Sequence, residues 1–212
     1  MDISAIAALA PVIPVLTVER VADAVPLARA LVRGGLPVLE ITFRTDAALE
    51  ALAAIAREIP EAVVGAGTVL DEGQVRQAMA AGARFGVSPG CTPALAKAVM
   101  AAGLPFLPGI QTVSEAMILR EQGFGLLKFF PADVAGGTAW LKAVAAPLAG
   151  LRFCPTGGIG IGTAPEYLAL PNVACVGGSW VAPREAVATG DWPRIERLAA
   201  AAAALKRASA PG

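Results

Sequence analysis

Short, almost wholly apolar runs alternate along the chain with longer stretches whose apolar residues recur every three or four positions. The short runs are Val12–Leu16, Val38–Phe43, Ala62–Ala66, Arg84–Val87, Phe106–Pro108, Leu126–Phe130, Arg152–Pro155 and Val173–Val176. Runs of this length, rich in Val, Leu, Ile and Phe, predict strands buried on both faces. The stretches between them predict helices over Val21–Val32, Ala47–Glu58, Glu72–Ala80, Pro93–Met100, Ser114–Gln122 and Thr138–Ala146. Several close on glycine before the next strand, at Gly34-Gly35, Gly82, Gly103 and Gly123, which is a C-cap signal. Met1 to Leu16 reads as a short N-terminal helix and then a strand. It carries Asp2, no basic leader and two prolines, so it does not read as a signal peptide. The alanine run Ala199–Ala204 suits a terminal helix and is far too short to span a bilayer.

Apolar strands separated by helices predict a parallel sheet covered by helices. About eight such units in 212 residues predict a single-domain (β/α)8 TIM barrel of the α/β class, over residues 1–212, with the short N-terminal helix added. An open doubly wound sheet is the alternative. The dinucleotide fingerprint that often accompanies it is absent. Gly65-Ala66-Gly67-Thr68 lacks the third glycine, and Gly158-Ile159-Gly160-Ile161-Gly162 has the wrong spacing.

Two charges interrupt runs that should be apolar: Glu40 in Val38-Leu39-Glu40-Ile41-Thr42-Phe43, and Lys128 in Leu126-Leu127-Lys128-Phe129-Phe130-Pro131. Lys and Glu are almost never fully buried without a partner. Desolvation favours the neutral amine of a lysine, the form that attacks carbonyl carbons. Lys128 is therefore the candidate nucleophile and Glu40 the candidate acid/base. The plainer readings are a lysine snorkelling from a strand end and a structural ion pair.

Composition narrows the chemistry. Hydrophobic residues make up 56% and charged residues 16% of the chain, with 17 basic against 17 acidic residues. This balance points away from a nucleic-acid surface or a polybasic membrane patch. There is no histidine. Ser-His-Asp and Cys-His catalysis are thereby removed, along with the usual His-based metal sites. The three cysteines, Cys91, Cys154 and Cys175, are far apart. They form neither a metal spacing nor a disulfide framework, which fits a reducing cytosol. Cys154 and Cys175 read as core residues.

Active residues of a barrel gather at the C-terminal ends of its strands. Taken in order, those ends offer Glu40, Thr42 and Arg44; Gly67 and Thr68; Ser88, Pro89 and Gly90; Pro108 and Gly109; Lys128; Thr156, Gly157 and Gly158; and Gly177, Gly178 and Ser179. Arg44 offers a fork for a carboxylate, or is a surface arginine. Thr68 follows glycines that let backbone approach a ligand, or sits in a plain turn. The glycine loops after the last two strands lie where many barrels hold a phosphate on backbone N–H groups.

Together these motifs are specific. Leu39-Glu40-Ile41-Thr42-Phe43-Arg44-Thr45, Val64-Gly65-Ala66-Gly67-Thr68, Val87-Ser88-Pro89-Gly90, Pro108-Gly109, Lys128-Phe129-Phe130-Pro131-Ala132, Phe153-Cys154-Pro155-Thr156-Gly157-Gly158-Ile159 and Gly177-Gly178-Ser179-Trp180 occur in order from about Pro11 to the last helix. The chain resembles the 2-keto-3-deoxy-6-phosphogluconate (KDPG) aldolases, also called 4-hydroxy-2-oxoglutarate (KHG) aldolases. The resemblance implies a cytoplasmic, cofactor-free and metal-free Schiff-base aldolase, a homotrimeric barrel of the Entner–Doudoroff pathway. Its partners would be pyruvate and a phosphorylated keto acid. By motif, Lys128 forms the Schiff base and Glu40 transfers protons. Arg44 and Thr68 bind the pyruvyl carboxylate, Phe130 packs on the pyruvyl carbons, and Thr156 contacts the sugar-acid chain. Gly157, Gly158, Gly178 and Ser179 hold the phosphate. One departure stands out: some members carry an arginine near the end of the first strand, where this chain reads Leu16-Thr17-Val18-Glu19-Arg20. The alternatives are a metal-dependent pyruvate aldolase, a phosphate-binding isomerase or epimerase, a non-catalytic sugar-phosphate-binding barrel, and the galactonate-epimer aldolase of the same family.

Overall fold

A computed structural model of the chain describes residues 1–208; the last four residues of the expected 1–212 domain lie outside it. The described residues run α1 (Ile3–Ala8), β1 (Val12–Leu16), α2 (Val21–Arg33), β2 (Val38–Thr42), α3 (Ala48–Glu58), β3 (Val63–Gly67), α4 (Glu72–Ala80), β4 (Gly86–Val87) and α5 (Pro93–Ala102). They continue with β5 (Phe106–Leu107), β6 (Gly109–Ile110), α6 (Val113–Glu121), β7 (Leu126–Phe129), α7 (Gly137–Val144), β8 (Arg152–Pro155), α8 (Ala164–Leu168), β9 (Val176–Gly178), α9 (Arg184–Thr189) and α10 (Trp192–Ala203). The predicted helices are all present, within two residues at each end.

Local chemistry sets these boundaries. Thr92 caps α5 by accepting the Leu95 N–H at 3.2 Å, Pro93 fills the first turn, and Gly103 ends the helix in the left-handed region at φ 66°. Asp71 caps α4 through the Gln74 N–H at 2.9 Å. At α6 a reciprocal box forms: Thr112 Oγ1 accepts from the Glu115 N–H, and the Glu115 carboxylate accepts from the Thr112 N–H at 2.8 Å.

All strand pairs are parallel. One six-stranded sheet has the order β5-β4-β3-β2-β1-β9, and a three-stranded sheet has the order β6-β7-β8. The expected α/β class is present, but nine strand segments in two sheets stand where eight in one ring were expected. Pro108 is the cause: proline offers no N–H to a ladder. The expected strand Phe106–Pro108 therefore stops at Leu107 as β5, and a further short strand, β6, begins after the proline in the other sheet. The carbonyl of Pro108 is still used, accepting the Lys128 N–H at 2.8 Å. The last strand is also shifted from the expected Val173–Val176. It pairs with β1, whose ladder begins at Val12, so β9 begins opposite it at Val176. Val173 makes only an isolated bridge to Phe153, and a second bridge joins Thr156 to Gly177.

The core has two clusters. Alternation along β2 sends Leu39 and Ile41 toward the helices, and along β7 it sends Leu127 and Phe129 the same way. Val38 and Leu126 face inward, into a smaller cluster with Ile13, Val63, Phe85 and Leu107. Ile6 and Ala7 of α1 join that inner cluster. The period of two then places Glu40 two residues above Val38, and Lys128 two above Leu126, on the same inner face. Outside, Phe129 stacks on Trp140 at 4.3 Å, which pins α7 to the sheet.

Candidate active site

The two intrusive charges meet. Lys128 Nζ lies 3.3 Å from Glu40 Oε1, and each side chain is 4% exposed. Neither neighbour in sequence brings them together, because 88 residues separate them. Their meeting follows from inward-facing positions on β2 and β7. The ring of Phe130 lies 5.3 Å from Nζ, offering the ammonium its face. A buried charge pair without further partners does little for stability. Its retention in an apolar interior is an argument for chemistry.

Glycines shape the space around the pair. On β3, a Cβ at Gly67 would lie 2.6 Å from Glu40 Cγ and 2.8 Å from Cδ, so the bare backbone there is the room that Glu40 occupies. A Cβ at Gly177 would lie 3.0 Å from Thr156 Cγ2 and would also meet its hydroxyl, so Thr156 stands in the space Gly177 leaves. At Gly178 the Trp180 ring takes that space.

A cleft of about 750 Å³ opens over the lysine. Lys128, Arg44, Phe130, Thr156, Gly157, Gly158, Gly178 and Ser179 all line it. Nine of the residues singled out from sequence thus lie together: eight in the cleft wall and Glu40 in contact with Lys128. Thr68 is not in the wall but is joined to it, since Arg44 Nε donates to Thr68 Oγ1 at 3.2 Å. Thr68 also has φ 59°, a left-handed conformation that a β-branched residue adopts only under constraint. Among the described residues Arg44 makes no ion pair, so its guanidinium is free to receive a carboxylate from solution.

Other strand-end candidates serve the scaffold. Thr42 is fully buried and donates to the Leu16 carbonyl at 2.9 Å. Ser88 accepts the Gly109 N–H at 3.3 Å. Arg20 lines the cleft but forks onto Asp23, with Nε 2.8 Å from Oδ2 and Nη2 2.7 Å from Oδ1. Neither Cys91 nor Cys175 competes with the lysine. Burial pushes Cys91 up to about 11. A hydrogen bond with Cys154, then burial, push Cys175 well above the usual thiol value. Such thiols hold little thiolate at neutral pH. Sequence reasoning did not pick out Arg184 or Glu19, which also line the cleft. Nothing in the local pattern marks either as more than a surface charge.

A buried lysine beside a carboxylate, under a cleft with a free guanidinium, can form an imine with a keto acid and shuttle its protons. The comparisons agree with that class. The model of KDPG and KHG aldolases matches residues 3–198. A KHG/KDPG aldolase of Escherichia coli (strain K12) is 50% identical over 189 residues, covering 89% of each chain. A crystal structure of KDPG aldolase from Legionella pneumophila, with pyruvate captured at low pH as a covalent carbinolamine intermediate, superposes with a TM-score of 0.94. It is 45% identical, covering 96% of this chain and 99% of that one. A crystal structure of the Zymomonas mobilis ZM4 enzyme with 3-phosphoglycerate gives a TM-score of 0.93 at 48% identity, covering 99% of both chains. The chain belongs to the KDPG and KHG aldolase family.

Proposed function

We propose that this chain is a class I aldolase, a lyase that cleaves KDPG to pyruvate and glyceraldehyde 3-phosphate and KHG to pyruvate and glyoxylate. The observation that carries the reading is the buried Lys128–Glu40 pair, 3.3 Å apart, under a cleft that continues into two glycine loops. The carbinolamine captured in the Legionella relative is the first intermediate such a lysine forms.

The Lys128 amine attacks the C2 ketone of the substrate, giving a carbinolamine. Loss of water leaves a protonated imine, an electron sink one bond from C3. Arg44, steadied by Thr68, holds the carboxylate, and Phe130 covers the pyruvyl carbons. Glu40, directly or through water, takes the proton of the C4 hydroxyl. The C3–C4 bond breaks, its electrons pass to the imine nitrogen, and the aldehyde leaves. Glu40 returns the proton to C3 of the enamine. Water then adds to the pyruvyl imine, releasing pyruvate and the free amine. Thr156 contacts the sugar-acid chain, and Gly157, Gly158, Gly178 and Ser179 hold the phosphate. None of these steps calls for a cofactor.

The nine strand segments are taken as the eight strands of one barrel and one domain, with β5 and β6 a single strand broken at Pro108. The bridge from Thr156 to Gly177 supports closure between β8 and β9. We take the working form to be a cytoplasmic homotrimer, which sedimentation of the purified protein tests. No described helix is long and apolar enough to cross a membrane.

Borohydride trapping tests the central claim. Pyruvate with borohydride should add covalently at Lys128, and Lys128→Ala should lose both adduct and turnover. An isomerase, a metal-dependent aldolase or a binding barrel forms no reducible imine. Trapping of Lys128→Ala at the wild-type rate would place the nucleophile elsewhere. Assays with the two C4 epimers side by side separate the gluconate-derived from the galactonate-derived substrate.

A further inference from the structure

Four cationic side chains line the cleft: Lys128, Arg44, Arg20 and Arg184. The first three have tasks. Lys128 faces Glu40, Arg44 reaches Thr68, and Arg20 is forked onto Asp23, whose side chain is only 11% exposed. Arg184 differs. Its side chain is 88% exposed and meets Glu19 through one nitrogen, Nη2 to Oε1 at 2.9 Å. A guanidinium carries five N–H donors. Most of those of Arg184 are therefore uncommitted, and an exposed pair of this kind is held weakly because solvent screens it. Glu185, the next residue, is engaged by Arg194 at 2.9 Å.

The pair also has a telling position. Glu19 follows β1 and Arg184 opens α9 after β9, and β1 and β9 are neighbours in the sheet. The two side chains thus bridge the loops beyond those strands, across 165 residues of sequence. They do so in the cleft that Gly177, Gly178 and Ser179 line. The loop backbone and the Ser179 hydroxyl offer neutral donors, whereas a sugar phosphate carries close to two negative charges at neutral pH. A planar guanidinium is the side chain best matched to it.

We propose that Arg184 is the specificity-determining cation for the substrate phosphate, and that Glu19 holds it until the dianion displaces the carboxylate. The assignment rests on the aldolase reading and deepens its phosphate end. The exchange gives Arg184 one anionic partner for another and returns Glu19 to water, where it is already 57% exposed. No covalent bond changes.

Arg184→Gln and Glu19→Gln, each in the full chain, test it by opposite signs. Both break the same ion pair. If the pair only braces two loops, both variants shift KM in the same direction. If Arg184 receives the phosphate, Arg184→Gln raises KM for KDPG about tenfold, more than for KHG, with kcat less affected. Glu19→Gln lowers KM for KDPG, because the competing anion is gone. Inhibition by inorganic phosphate should follow the same two directions. Shifts of one sign, or none with either variant, overturn the assignment while cleavage by the wild-type chain keeps the aldolase reading intact. A wild-type chain that cleaves neither substrate overturns both.

Discussion

Gly67→Ala tests whether empty space positions the acid/base. The backbone at Gly67 is not left-handed, so alanine suits its conformation. What it lacks is room. The new methyl would sit 2.6 Å from Glu40 Cγ, about 0.8 Å inside the 3.4 Å at which ordinary contact begins. Because Glu40 is 4% exposed and hemmed in by packed strands, the carboxylate must move by roughly that amount. It then leaves the 3.3 Å contact with Lys128 Nζ. A misplacement of about 1 Å costs on the order of 100-fold in rate, or about 2.7 kcal/mol of transition-state stabilisation. Overpacking adds about 1–3 kcal/mol of destabilisation. Pyruvate release, coupled to lactate dehydrogenase and NADH, reads the rate, and denaturant unfolding reads the stability. Glu40→Gln separates the two effects. In that background Gly67→Ala should still destabilise but should cost little further rate, because the base is already gone. A Gly67→Ala rate within about threefold of wild type refutes the argument from a misplaced base. So does an equal further loss in the Glu40→Gln background.

Glu40→Gln alone should lower kcat by ~10²–10⁴-fold, with imine trapping partly retained; a loss under about threefold, against that range, would hand the proton transfer to another group. Ser179→Ala removes one hydrogen bond to a charged group, worth on the order of 1.5–3 kcal/mol, and should raise KM mainly for KDPG; equal impairment with KHG would move Ser179 away from the phosphate. Burial favours the neutral Glu115 carboxyl, but the N–H groups of Gln111 and Thr112 and the Thr112 hydroxyl outweigh it and hold the group below the usual carboxylate range. A depressed carboxyl stabilises the fold above its unfolded value and loses that contribution as pH falls through the folded one. Glu115→Gln should therefore cost about 0.5–1 kcal/mol at pH 7, discounted for its exposed position. The difference should shrink on acidification, and a gap that persists unchanged at low pH would count against the capping box.

Local features of this chain were legible without coordinates, because they depend on neighbours in sequence. Strand and helix periods and the closing glycines all act within a few residues. Gly35, Gly82, Gly103 and Gly123 all take positive φ, as their places after helices require. Lys128 and Glu40 stood out for a similar reason: a charge inside an apolar run is costly wherever the run is buried. Motif order then named the family. The tertiary structure decided what depends on register and closure. Pro108 ends one expected strand and a further strand starts beyond it in the other sheet, because its missing N–H matters only once neighbours are chosen. Which carboxylate faces Lys128, which glycine makes room for Glu40, and which arginine spans β1 and β9 are contacts across many residues of chain. A period of two tells which side of a strand a residue takes. How far it lies from a residue on another strand is set by the packing of the whole sheet, and the single chain pattern carries no record of that distance.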